Sequence, residues 1–353
     1  MRATESRDPC RPQPAGDATV VQPPPGLGVV LIGRNEGDRL RRCLESVIDT
    51  VRPVVYVDSG STDGSVALAR ALGAAVVELD PHIPFAPGRA RNEGFDRLRE
   101  LLPGLRYVQF VDGDCEIAAG WLARAVAFMG DHPDIAAVSG RVSERHPERS
   151  IYNLLCAVEW DTHAVGETSS CGGNALVRAD AFAAMNGYRT DLMGGEEPEL
   201  CLRLRASGWR VWCLEDRVAL HDAAMTRFGQ WWKRAMRSGY ASMQRAGICG
   251  ATRGLRGMRK LLSVWFWALL LPVAILALGV AWSGSAALLL LLYPLQMARL
   301  CARGRQRGAG AFRRNGWYAV FLVLAKFPRL AGQLKFLLER CIRSRPRLID
   351  YKS

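Results

Sequence analysis

No charged residue occurs between Lys260 and Arg299, and this uncharged stretch limits the architectures open to the chain more than any other feature. Residues 261–282 alone suffice to cross about 30 Å of hydrocarbon as a helix; a deeply buried helix of a soluble domain is the competing reading. The turn-forming Ser283, Gly284 and Ser285 follow, and then a shorter apolar run, residues 286–298, that contains Pro294. This second run can return across a bilayer if Arg299 snorkels and the helix continues past it. A third apolar segment, residues 317–338, is interrupted by Lys326, Pro328, Arg329 and Lys335. That pattern suits an amphipathic helix at an interface better than a span.

Charge supports the same organisation. The chain has 353 residues, with 47 Lys and Arg against 34 Asp and Glu, a formal charge of +13. Much of the excess brackets the apolar stretch, at Arg253, Arg256, Arg259 and Lys260 and again at Arg299, Arg303, Arg305, Arg307, Arg313 and Arg314. Membrane lipid explains such placement better than nucleic acid, which is not expected as a partner. The positive-inside bias puts both flanks in the cytoplasm and the uncharged turn on the other side. Residues 1–26, rich in Pro, Arg, Asp and Gln, lack the apolar core of a secretory signal and read as a disordered tail. Ten cysteines occur without a Cys-x-x-Cys pair, which argues for reduced core thiols and against a zinc knuckle or redox motif.

Residues 27–240 read as one α/β domain with a mostly parallel sheet flanked by helices. Strands are predicted at residues 29–32, 54–57, 75–79, 107–111 and 136–142, alternating with helical patterns. Between the first two strands, Leu40, Cys43, Leu44, Val47 and Ile48 form the apolar stripe of a crossover helix. Residues 241–260 then read as a basic linker, 261–302 as a transmembrane hairpin and 303–353 as a basic segment carrying the interfacial helix.

Carboxylates cluster where predicted strands end. The second strand runs into Asp58-Ser59-Gly60-Ser61-Thr62-Asp63-Gly64, at the sheet edge where open α/β folds bind ligands. An ordinary strand-to-helix turn capped by Asp63 or Ser61 would read the same way. The fourth strand ends in Asp112-Gly113-Asp114. Paired carboxylates there suit Mg²⁺ or Mn²⁺, which take oxygen ligands and leave positions open for phosphate, although acidic surface turns share the pattern. Gly113 allows close backbone approach. Gly194-Gly195-Glu196-Glu197-Pro198 reads as a glycine loop entering a helix with Pro198 at its first position. Glu197 would then lie at a helix N-terminus, where the macrodipole favours the charged form required of a proton acceptor; capping alone is the alternative. His221, after another apolar run, either completes a metal site with Asp114 or is structural.

In this order the segments resemble family 2 glycosyltransferases, inverting enzymes of the GT-A fold that use nucleotide-diphosphate sugars. The resemblance covers residues 28–239. It implies that Gly33-Arg34-Asn35-Glu36 and Asp58-Ser59-Gly60 through Asp63 bind the donor, with Glu36 and Asp58 holding the nucleotide. Arg91, within Gly88-Arg89-Ala90-Arg91-Asn92, would lie over the donor. Asp112 and Gly113 would contact the diphosphate, and Asp112, Asp114 and His221 would hold the metal. Gly172-Gly173-Asn174 matches an acceptor-side loop. Glu196-Glu197 stands where the family usually shows Glu-Asp, which implies Glu197 as the base with Glu196 as its competitor. Gln230-Trp231-Trp232-Lys233-Arg234 does not fit the Gln-x-x-Arg-Trp of processive synthases, which, with only one clear apolar hairpin, argues against a polymer-extruding channel. The expected activity is transfer of one sugar to a membrane-proximal glycan or lipid-linked acceptor at the cytoplasmic face of the inner membrane. A sugar nucleotidyltransferase and a non-catalytic membrane scaffold are the rivals.

Overall fold

The structure, a computed structural model, describes residues 25–160, 165–249, 254–281, 285–305 and 312–342. Nearly all of the expected N-terminal tail, and Ser283 and Gly284 of the expected hairpin turn, lie outside these residues.

The chain opens with β1 (Leu27–Gly33), α1 (Asp38–Ile48), β2 (Val54–Asp58), α2 (Ser65–Ala71), β3 (Ala75–Glu78), α3 (Pro87–Leu101) and β4 (Tyr107–Asp112). β1 pairs in parallel with β2 and β4, and β2 with β3. Parallel neighbours need a crossover, and α1 is the first, with the whole predicted stripe from Leu40 to Ile48 buried. Along β1, Val29 and Leu31 enter one core while Val30 enters the other. Both faces of this half are therefore covered, which is why its strands read as unbroken apolar runs.

The chain continues with β5 (Cys115–Ile117), α4 (Trp121–Asp131), β6 (Ile135–Glu144), α5 (Ile151–Trp160), β7 (Gly166–Glu167), β8 (Ala175–Arg178), α6 (Ala179–Ala184), α7 (Glu196–Ala206) and β9 (Arg210–His221). The sheet order is β3-β2-β1-β4-β8-β6-β9-β5, with β7 also on β9. Here the pattern departs from the expectation of a mostly parallel sheet. β8 runs antiparallel to β4 and β6, and β5 and β7 run antiparallel to β9, while β6 and β9 are parallel. The parallel character holds for the N-terminal half, and the other half is mixed.

Register then positions the site. Gly33 pairs with Asp58 and Ile32 with Asp112, so the turns after three strands share one edge of the sheet. His221 pairs with Cys115 across one side of β9 and with Glu144 across the other.

Helices make up the C-terminal third: α8 (Phe228–Cys249), α9 (Gly254–Trp265), a π-helical turn (Phe266–Leu270), α10 (Leu271–Ala281), a 3₁₀ segment (Ser285–Leu291), α11 (Leu292–Arg305), α12 (Phe312–Leu324) and α13 (Lys326–Cys341). The expected linker, residues 241–260, is helical up to Cys249 and again from Gly254. Pro272 has no amide hydrogen and its ring would crowd the Ala268 carbonyl in an α-helix; the π turn just before it widens the backbone there. Among the described residues, Gly257–Val280 is the one helix long and apolar enough to cross a membrane, and Ala287–Ala302 is apolar but shorter. Leu262, Phe266, Leu270, Val273, Leu276 and Val280 are exposed along the longer helix.

The segment predicted as one interfacial helix is two helices that break at Ala325, with Lys326 and Pro328 in the first turn of α13. Both pack on the α/β domain. Phe321 of α12 meets Tyr152 and Trp231 edge-on, and α13 crosses α8 at Gly239 and Gly332. A Cβ on Gly332 would overlap the Met236 carbonyl, and one on Gly239 the Arg329 carbonyl. Gly332→Leu is therefore expected to force these helices apart and destabilise the fold by roughly 3 kcal/mol, the upper part of the overpacking range. Thermal unfolding in detergent checks this, and an unchanged midpoint would contradict the contact.

Candidate active site

The loops after β1 and β2 are fastened to each other. Ser61 Oγ accepts from the Asn35 amide at 2.9 Å, Asn35 Oδ1 accepts from the Thr62 amide at 2.7 Å, and Asp63 Oδ2 accepts from the Gly37 amide at 3.0 Å. Asn35 takes a positive φ of 53° to do so, a conformation asparagine tolerates. The Asp58 carboxylate accepts from the Tyr56 hydroxyl at 2.9 Å and from the amides of Gly60 and Ser61 at 2.9 and 2.8 Å. All of these bonds stay within β2 and the two loops. Asp58, for which the resemblance implies a role in holding the nucleotide, accepts through Oδ1 from Tyr56 of β2 and through Oδ2 from the two turn amides.

These loops form one wall of a cavity of about 790 Å³. Of the predicted donor residues, Gly33, Arg34, Asn35, Glu36, Ser59, Arg91, Asp112 and Gly113 line it, whereas Asp58, Gly60 and Asp63 stand behind. Glu36 is buried and pairs with Arg39 at 2.9 Å. Gly113 lets the end of β4 pass close by, since a Cβ there would lie 3.0 Å from the Ile32 carbonyl oxygen.

Asp112 and Asp114 serve different partners. Asp112 Oδ1 lies 2.7 Å from Arg91 Nη2. The same guanidinium reaches Glu196 Oε1 at 2.6 Å through Nη1 and approaches Glu197 Oε1 at 3.6 Å, while stacking over the Tyr188 ring. Arg91 thus joins the end of β4 to the start of α7. The acceptor-side loop rests against this junction: a Cβ on Gly173 would lie 2.5 Å from Asp112 Oδ2 and 2.8 Å from Arg91 Nη2. Asn174 accepts from the Asp112 amide at 3.1 Å and donates to Cys115 Sγ. Arg91→Met is expected to cost about 3–5 kcal/mol of stability, because it leaves Glu196 buried without its counter-charge. A thermal midpoint within a degree or two of the parent protein would contradict that role.

Asp114 belongs to a second group. Its Oδ2 faces His221 Nε2 at 3.7 Å, and His221 Nδ1 is bonded to Glu144 Oε2 at 2.6 Å. Asp114, Cys115 and His221 place their ligand atoms within 4.8 Å of one another. Burial raises the Cys115 thiol well above its ordinary pKa, with Asp114 and Asp112 adding to it, so the neutral thiol is a poor ligand for a hard cation. Asp114 and His221 fit a divalent ion well: the carboxylate offers oxygen, and Glu144 fixes the imidazole as second-layer carboxylates do for metal-bound histidines. Asp112, predicted in the metal set, is held by Arg91 and is not in this cluster.

Glu196 and Glu197 begin α7 after Gly195, whose φ is 82°. The helix thus starts two residues before Pro198, which occupies its third position and not the first. Glu196 is buried on Arg91, while Glu197 lines the cavity with 17 % of its side chain exposed. Its pKa is pushed up to about 7, chiefly by burial, then by Glu196, with Arg91 opposing and Asp112 adding. The predicted helix-terminal stabilisation of the charged form is outweighed here.

The sequence did not point to Glu144 or to Trp160, whose ring packs edge-on against His221 at 5.3 Å. It also gave no role to Arg234, Arg237, Arg245 and Arg329, which extend the cavity wall into the C-terminal helices. Only the spacing of 234, 237, 241 and 245 along one helix face could have suggested part of this.

Residues 29–186 match the family described as Glycosyl transferase family 2. Glycosyltransferase AglE of Haloferax volcanii is 25% identical over 239 residues, covering 62% of this chain and 74% of that protein. Succinoglycan biosynthesis protein ExoA of Rhizobium meliloti is 27% identical over 210 residues, covering 54% of this chain and 61% of its own length. Among solved structures, mannosyltransferase PcManGT from Pyrobaculum calidifontis, in complex with GDP-Man and Mn²⁺, superposes with a TM-score of 0.60 at 21% identity, over 95% of this chain and 92% of that one. That likeness shows a shared fold.

Proposed function

We propose that the chain, of which residues 29–186 match Glycosyl transferase family 2, is a glycosyltransferase that works from a nucleotide-sugar donor and carries out single inverting transfers onto a membrane-proximal, lipid-linked acceptor. The carrying observation is that Glu197 and the Asp114–His221 pair open into one cavity, with Arg91 tying the two sides together through Asp112. In an inverting displacement the acceptor hydroxyl oxygen bonds to the anomeric carbon as the bond to the diphosphate oxygen breaks, and the hydroxyl proton leaves with a base.

Glu197 takes that proton, since Asp112 and Glu196 are engaged with Arg91 and Asp114 faces His221. Arg34, Glu36 and Ser59 line the nucleotide side. Asp114 and His221 would hold Mg²⁺ or Mn²⁺, which supplies positive charge to the departing diphosphate. PcManGT, bound to GDP-Man and Mn²⁺, supports this reading, and ExoA, a succinoglycan biosynthesis protein, supports a role in glycan or polysaccharide synthesis. The exposed apolar row on Gly257–Val280 supports attachment to the inner membrane, and the basic flanks support a cytoplasmic catalytic domain.

The deciding experiment incubates membrane fractions holding the chain with UDP-, GDP- and dTDP-sugars, with and without Mn²⁺. Nucleotide release from one of them, dependent on the cation, is expected. Release that proceeds equally in excess EDTA would remove the metal, and product that retains the donor's anomeric configuration would remove the single displacement.

A further inference from the structure

The cavity continues past the reaction centre to a corner built by α5, α8, α12 and α13. Glu159 lines it there with the guanidinium-bearing Arg234 and Arg329. It is bonded to Arg234 at 2.8 Å, and it lies in the electrostatic field of Arg329 together with Arg234 and the Tyr318 hydroxyl. The corner thus carries an excess positive charge. Arg329 Nε is buried with no hydrogen-bond partner among the described residues, and burial, aided by Arg234, lowers the pKa of this arginine. An arginine held in this way is destabilised until an anion completes it.

Apolar groups flank the same corner. Leu155, Trp231, Ala235 and Ala325 are buried together, with Tyr318 and Phe321 packed on them. Glu159 is followed on α5 by Trp160, whose ring touches His221. An anion at Arg329 would therefore lie within reach of the reaction centre, and an apolar chain leaving it would run along α12 and α13, against which Val264 and Ala268 of the long apolar segment pack through Leu330.

We propose that Arg329, with Arg234 beside it, binds the phosphate of an acceptor in which the hydroxyl-bearing glycan or polyol is joined through a phosphate ester to an apolar chain. The proposal rests on the transferase reading for the position of the reacting hydroxyl, which lies further along the acceptor at Glu197. The cationic corner selects the phosphate, and the aromatic and aliphatic wall selects the chain.

Tryptophan fluorescence of the full chain in dodecyl maltoside, read during titration with farnesyl phosphate, farnesol and inorganic phosphate, tests this, because Trp160 and Trp231 line the cavity. Farnesyl phosphate is expected to bind at least roughly tenfold more tightly than either of the others, and Arg329→Gln to weaken it by about tenfold or more, as for loss of a charged hydrogen bond. Arg329→Lys should recover part of the affinity. Calorimetric binding of UDP, GDP or dTDP with Mn²⁺ should be the same in parent and Arg329→Gln, which also reports that the variant is folded. Farnesyl phosphate binding no tighter than farnesol, inorganic phosphate matching farnesyl phosphate, or an unaltered Arg329→Gln would each overturn the proposal. If no nucleotide binds the parent chain while farnesyl phosphate does, the donor reading falls and this site stands; the opposite result removes the site alone.

Discussion

Asp114→Asn is expected to lower sugar transfer by about 10³-fold or more, with the fold intact. The reason is the geometry at the end of β4: Asp114 Oδ2 and His221 Nε2 face each other at 3.7 Å, and Glu144 holds the imidazole from behind. A divalent ion held there would contribute several kcal/mol of charge stabilisation, and each 1.4 kcal/mol is about tenfold in rate. The amide keeps the shape of the carboxylate but removes its charge and replaces one acceptor oxygen with a donor. Measured Mn²⁺ affinity should fall in parallel with rate. A variant that turns over normally, or a parent enzyme indifferent to EDTA, would exclude these two residues as the metal pair.

The second large effect is expected at Glu197. Positioned proton acceptors contribute roughly 10² to 10⁴ in rate, so Glu197→Gln should lose about that much kcat while donor binding, which the proposed function gives to the loops after β1 and β2, should change little. Glu196→Gln should act differently, through stability, because Glu196 is buried on Arg91 at 2.6 Å. The pH profile separates the roles. Burial beside Glu196 pushes the Glu197 carboxyl up to about 7, and a base must be ionised to accept a proton. The parent kcat should therefore fall as pH drops below about 7 and level off above it. The residual activity of Glu197→Gln should lack that limb. A near-normal kcat in this variant, or an acid limb that survives the substitution, would reassign the base.

Much of this site was legible because its parts lie at the ends of elements with strong local signals. The apolar runs of β1, β2 and β4 mark where strands stop, and in a parallel sheet those ends share an edge, so Asp112 and Asp114 could be placed beside the Gly33 loop. The stripe from Leu40 to Ile48 identified the crossover that makes the strands parallel. Two features were not legible, and for the same reason. Glu144 reaches His221 only through the β6–β9 register, 77 positions apart in the chain, and Arg91 reaches Glu196 across 105 positions; nothing near either residue reports such a contact. β8 was missed because its four residues, Ala175–Arg178, directly follow the Gly172-Gly173-Asn174 loop and were read as part of that segment. The start of α7 was displaced because proline is compatible with any of the first helical positions, so Pro198 marked the helix but not its first residue.

The glycine crossing of α8 and α13 has a mechanical meaning. The long apolar helix leans on α13 through Val264, Ala268 and Leu330, α13 lies backbone to backbone on α8 at Gly239 and Gly332, and α8 carries Arg234 and Arg237 into the cavity. Seating the apolar helix in lipid would set the height of the cavity above the bilayer, so under the proposed function transfer is expected to depend on how far an acceptor's reactive hydroxyl rises from the membrane.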